Sequence, residues 1–227
     1  MNEFFEEFVR AAPRVGEGLR VTVLATLLGA AAALVVAFAL GLPSYSPRRA
    51  VRAPARLIVE FLRGTSLYVQ LFWLFFALPV LGFRLEPLAC GVLAFGLNYG
   101  AYGAEVVRGS LAAVPRSQGE AAVALGMGPV LRLRRVILPQ AVVLMIPPFG
   151  NLLVQLLKAT PLLSLITISD LTFQLDQLRS ATGETGTAYL TLLLMYFALA
   201  ALLSSGMKVL ESAAATRLGR RPGGGGV

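Results

Sequence analysis

Three polar side chains stand at turn spacing in the otherwise apolar run "NLLVQLLK": Asn151, Gln155 and Lys158. Residues at i, i+4 and i+7 share one helix face, so two amides and an ammonium would line up there. Thr160 and Ser164 follow on either side of Pro161. Such a set can hold a small solute by its carboxylate, with the ammonium giving charge and the amides and hydroxyls giving orientation. The competing reading is that Lys158 lays its stem on apolar surface and lifts its head to the membrane interface. Gln70, Asn98 and Tyr99 are further polar side chains in apolar runs and candidates to line the same path. A ring such as Tyr99 or Trp73 could receive a cationic solute over its face, although anchoring at the interface is the usual work of such rings.

Glu60 with Arg63, and Glu105 with Arg108, are each at i,i+3 and are expected to pair along one helix face. A lone charge at the centre of a bilayer costs at least about 2.5 kcal/mol. The pairs therefore read as interface anchors, or as an inner gate whose pairs re-form when helices move. Other chemistry is missing. There is no histidine, the one cysteine is Cys90, and the only lysines are Lys158 and Lys208. No Walker-type phosphate loop can be written without a Gly-Lys-Ser/Thr run, and no nucleophile–base pair or metal-ligand cluster stands out. No cofactor is expected.

The composition explains where these residues must sit. The chain has 227 residues, 56% hydrophobic and 14% charged, with mean hydropathy +0.73, whereas a soluble domain carries about 25% charged residues. An all-α integral membrane protein is expected, because a helix satisfies its own backbone in lipid. The net charge of +8 does not point to nucleic acid, since the arginines cluster in short loops between apolar runs. Five spans are predicted, over 19–42, 57–80, 87–107, 136–157 and 188–209. Arg48, Arg49, Arg52 and Arg56 follow the first, and Arg116, Arg132, Arg134 and Arg135 follow the third. Arg217, Arg220 and Arg221 follow the fifth, but only Arg84 and Arg179 lie in the other loops. Basic loops face the cytoplasm. Residues 1–18 are then an extracytoplasmic tail, 19–210 the transmembrane domain and 211–227 a cytoplasmic tail with a disordered glycine-rich end. The acidic N-terminus does not suit a signal peptide.

Within this frame, Pro147 and Pro148 are expected to kink or break the fourth span, and Pro161 to end it. The stretch after it reads as a short helix and loop at the outer face. Gly29, Ala33, Ala37 and Gly41 in the first span, and Gly96, Gly100 and Ala104 in the third, repeat at four-residue spacing. Small residues let helices approach closely in lipid, either within the chain or between subunits.

Between spans three and four lies "RSQGEAAVALGMGPVLRLRRVILP". Ser117 and Glu120 have capping-box spacing, the alanines favour helix, and Gly126 and Gly128 stop it. A short helix with a small-residue face is expected, parallel to the membrane and able to dock in a groove on a partner.

That stretch resembles the EAA loop in the membrane subunits of bacterial ABC importers. Glu120, Ala121 and Ala122 are followed at the family's spacing by Gly126 and then by Val136, Leu138 and Pro139, with Val136 in an isoleucine place. "EFLRGTSLYVQLFW", "NYGAYGAEVVRGSLAAVP" and "LLVQLLKATPLLSLITISDLT" resemble the polar amino-acid subfamily, and "DLTFQLDQLRSATGET" resembles the ectoine/hydroxyectoine permeases. The resemblance implies the type I ABC importer permease fold in the bacterial inner membrane. It implies a coupling helix whose Glu120, Ala121, Ala122, Gly126, Arg132, Arg134 and Arg135 meet a cytoplasmic ATPase. Implied partners are two ATPase subunits, a second permease subunit, identical or a sister, and an extracytoplasmic solute-binding protein. The alternative is a stand-alone secondary transporter or channel. Against it, no internal repeat and no acidic relay within a span are seen. An intramembrane enzyme is a third reading, disfavoured by the missing histidine.

Overall fold

The computed structural model describes residues 2–217, which are helical almost throughout. The glycine-rich end with Arg220 and Arg221 lies outside the described residues. In chain order the helices are α1 (Asn2–Ser44), α2 (Arg49–Gly64), α3 (Leu67–Phe72), α4 (Pro87–Ala113), α5 (Arg116–Ala124), α6 (Pro129–Arg132), α7 (Leu138–Ala159), α8 (Leu171–Thr182) and α9 (Thr185–Arg217). The first span thus continues one helix that starts at Asn2.

The glycines set how the helices stack. A Cβ added at Gly96 would stand 2.8 Å from that of Ala32, one at Gly100 2.5 Å from that of Val36, and one at Gly103 2.7 Å from that of Ala37. Added at Gly41, it would stand 2.7 Å from that of Val107. The small-residue stripes are therefore an intrachain seam of α1 on α4. Contacts along the seam rise in step, so α1 and α4 run parallel. The chain must return between them, and α2 with α3 makes that return: Arg63 lies over Tyr102 while the Leu74 carbonyl meets Cys90. α7 runs against α4, with Phe149 near Gly103 and Tyr99 bonded to Gln155. α9 runs against α7, with Met207 on Gly150. Five alternating passes result.

Helices over Glu6–Ser44, Pro129–Ile166 and Thr185–Ala214 are long and apolar enough to cross a membrane, and the bent pair Arg49–Gly64 and Leu67–Leu81 meets the same standard when the two pieces are taken together. α4 is not among them, yet its 27 residues reach about 40 Å. It sits at the centre, with Ala94, Phe95, Ala101, Ala104 and Val107 fully buried, so its neighbours rather than lipid cover it.

Two expectations are corrected. The second span is not one straight helix: it bends by 97° between Gly64 and Leu67. The fourth is not broken at Pro147 and Pro148, since α7 runs through both. Their missing donors free only the carbonyls of Val143 and Leu144, and neighbouring helices let lipid-embedded helices tolerate this. A π turn at Leu133–Ile137 stands two residues before Pro139. Pro79 likewise follows a π turn at Trp73–Ala77. A proline has no N–H for the i−4 carbonyl and its ring crowds it, which widens the preceding turn. Pro161 does end α7, and a 3₁₀ segment, Thr160–Ile166, follows.

Candidate coupling and translocation sites

α5 starts at Arg116 because Pro115 turns the chain after Val114, with φ −54° and ψ 135°. Ser117 is inside the helix and no side chain caps it, which corrects the capping-box expectation. The C-terminus behaves as expected. Gly126 takes φ 74°, its N–H donates to the Val123 carbonyl and that of Met127 to the Ala122 carbonyl, at 2.9 and 3.0 Å. This crossed pair closes a helix and needs a residue at ease with positive φ.

Ala122 is buried, while Glu120, Ala121, Gly126, Arg134 and Arg135 are exposed and Arg132 is half-buried. Apolar side chains stand out beside them, Leu125 at 77% and Val130 at 76% exposure. Behind α5 a cavity of about 570 Å³ is lined by Tyr45, Arg116, Glu120 and Arg132. Among the described residues one side-chain hydrogen bond ties α5 to α7. The Gln140 amide donates to the Gln118 amide oxygen at 3.3 Å and to the Val136 carbonyl at 2.9 Å, inside the π turn.

Asn151, Gln155 and Lys158 do share one exposed face of α7. The Tyr99 hydroxyl donates to the Gln155 carbonyl at 3.1 Å. Lys158 has no ion pair or hydrogen bond among the described residues. With Pro161, Tyr189, Tyr196, Phe197 and Ser204 it lines a cavity of about 590 Å³ between α7 and α9. The other path candidates lie apart or are engaged. Gln70 holds the bend in the second span, donating to the Leu62 carbonyl at 2.9 Å and to the Thr65 hydroxyl. Asn98 is buried on α4. Ser164 donates to the Pro161 carbonyl at 2.7 Å, and Thr160 to the Leu157 carbonyl at 2.8 Å. Of the charged pairs, Glu105–Arg108 forms at 2.7 Å. Arg63 instead lies 5.2 Å above the Tyr102 ring.

The sequence reading missed a polar node at the far end of α7. Asp170 is fully buried and caps α8, one carboxylate oxygen accepting the Phe173 N–H at 2.9 Å. The Thr22 hydroxyl on α1 accepts the Leu171 N–H at 3.1 Å. On α9 the Tyr196 hydroxyl meets Thr160 at 3.1 Å, Thr172 at 3.2 Å and Asp170 at 3.5 Å. Burial pushes the Asp170 carboxyl up to about 6, against the hydrogen bonds that hold it down. A signal was present, since an aspartate directly before the Leu171, Leu175, Leu178 apolar stripe is an N-cap pattern.

A family model described as the binding-protein-dependent transport system inner membrane component matches residues 21–215. The chain belongs to that family. It is 47% identical over 213 residues to a probable amino-acid ABC transporter permease protein of Sinorhizobium fredii, covering 91% of this chain and 90% of the relative. It is 38% identical over 159 residues to the L-cystine transport system permease protein of Bacillus subtilis, covering 70% and 68%. A crystal structure of an amino acid ABC transporter with histidines superposes with a TM-score of 0.85 at 31% identity, over 92% of this chain and 98% of that one. The chain is therefore a membrane-embedded ABC permease subunit of the type I fold, and not itself an enzyme. Membership implies an ATPase on another polypeptide. For this permease the fold expectation holds, and its helices agree with the solved relative along nearly the whole chain.

Proposed function

We propose that this permease forms the solute path of a bacterial importer for amino acids, or for a related zwitterion such as ectoine or hydroxyectoine. The observation that carries the reading is α5: a nine-residue helix of small, charged and protruding apolar side chains, outside every span and tied to α7. Apolar side chains as exposed as Leu125 and Val130 mark a surface that a partner covers. Glu120, Ala121, Ala122, Gly126, Arg132, Arg134 and Arg135 make this the ATPase-coupling site. The loop is cytoplasmic, which puts the N-terminus outside and the C-terminus inside the inner membrane, and a binding protein delivers solute from outside. A second permease subunit covers the exposed polar face of α7, because Asn151, Gln155 and Lys158 suit a watery path better than lipid. On that path Lys158 takes the solute carboxylate, with Gln70, Asn98, Tyr99, Thr160 and Ser164 as path-lining or path-shaping neighbours.

Relatives whose names specify amino acids and L-cystine support the solute class. The test is to purify the permease with the ATPase and binding protein encoded beside it and to measure ATP hydrolysis and uptake in liposomes. Hydrolysis stimulated by a liganded binding protein is expected, and which solutes stimulate it separates common amino acids from ectoines. A chain that moves solute without any ATPase would contradict the reading. Lys158→Ala is expected to weaken uptake with the complex still assembled, whereas normal kinetics would return Lys158 to the headgroup region.

A further inference from the structure

The cavity that holds Lys158 has one wall whose position is set from behind. Tyr196 lines it, and the phenol oxygen is held from three sides. The Thr160 hydroxyl spends its proton on the Leu157 carbonyl, so in the 3.1 Å contact between them Tyr196 is the donor. A phenol has one proton, so the 3.2 Å contact with Thr172 is made by the threonine donating. The second Asp170 oxygen, 3.5 Å away, can only accept, so it shares the single phenol proton with Thr160. Asp170 itself cannot drift. Its other oxygen caps α8, and the backbone beside it is pinned by Thr22 of α1. Gly18 makes room for this approach: a Cβ there would lie 2.9 Å from the Asp170 carbonyl oxygen.

We propose that Asp170 is a positioning residue for transport, which fixes the Tyr196 hydroxyl and with it the wall of the Lys158 cavity. A cap alone needs one oxygen, and serine supplies one. Full burial of a carboxylate carries a desolvation cost that a cap does not require. Thr172 also reaches the carboxyl through its N–H and its hydroxyl, and Tyr196 is the partner that comes to it from a different helix. This inference rests on the reading that the Lys158 cavity lies on the solute path.

The test uses the reconstituted complex with Tyr196→Phe, Asp170→Ser and both together. Asp170→Ser keeps the α8 cap and loses the oxygen facing Tyr196. Tyr196→Phe removes one oxygen and keeps the ring. Each is expected to raise the solute concentration for half-maximal uptake by about tenfold, the scale of one hydrogen bond to a charged group, while the maximal rate holds. The double variant is expected to be no worse than either single one, since the two act as a unit. Wild-type half-saturation in either single variant would overturn the proposal, as would effects that multiply in the double. If Asp170→Ser fails to assemble, Tyr196→Phe decides alone, and failure of both to assemble makes the node purely structural and overturns it too. Normal uptake by Lys158→Ala takes the cavity off the path and ends both readings. Weakened uptake there beside an unchanged Tyr196→Phe ends only this one.

Discussion

At its start α7 is joined to α5 by one side-chain hydrogen bond among the described residues, Gln140 to Gln118, whereas past its end Thr160 enters a buried node with Asp170, Thr172 and Tyr196. The first junction is exposed and carries bare apolar side chains and cations without an ion pair among the described residues. The second satisfies its polar groups from within the chain. A surface left incomplete is one that another molecule completes, and a surface that is complete is one that holds its own shape. Under the proposed function, the α5 end would transmit force and the α8 end would hold the shape of the solute path.

The comparison breaks most directly at Glu120. Glu120→Lys is expected to abolish uptake and ATPase co-purification, while stability stays within about 0.5 kcal/mol, as for exposed positions generally. Unchanged uptake would remove the assigned handle.

The node gives the next largest effect, and it depends on pH. The Asp170 carboxyl rises from 3.8 in a free chain to about 6 in the fold. Between those values the folded state keeps a proton that the unfolded chain has released. Stability is therefore greatest at or below pH about 4 and falls as pH rises through about 6, by up to about 3 kcal/mol in all. Thermal midpoints measured in detergent across that range should fall with pH, and Asp170→Asn should flatten the curve. A midpoint that rises over the same interval in the native protein but not in Asp170→Asn would reverse the assignment.

The smallest effect sharpens the other end. Gln140→Leu removes the link to Gln118 and the donor to Val136, worth about 1 kcal/mol each way of counting. It is expected to lower ATP-driven uptake partially, with solute half-saturation unchanged. A shift in half-saturation instead would mean that the α5 end also shapes the path.

Much of this was readable in the residues. The Gly–Ala stripes announced a close seam, and only their partner, α4 rather than another subunit, needed coordinates. Gly126 read correctly as a helix stop because its role is local. The polar hinge Gly64-Thr65-Ser66 was in plain view inside the second span, but the apolar residues on both sides outweighed it. The break expected at Pro147 and Pro148 is absent because proline effects depend on what surrounds the freed carbonyls. Ser117 misled because Pro115 opens the helix two residues earlier. Tyr196 could not be found by spacing, since its partners come from the end of α7 and the start of α8 at separations of 24 to 36 residues.

The central claim is that α5 is the part of this permease gripped by a separate ATPase. Ala121→Cys places a thiol on its exposed face, and the native Cys90 is buried. Crosslinking in inside-out vesicles that contain the whole complex should trap Ala121→Cys on the ATPase, and a thiol reagent that cannot cross the bilayer should label it from the cytoplasmic side. Labelling from the extracytoplasmic side only, with no ATPase adduct, would contradict the account.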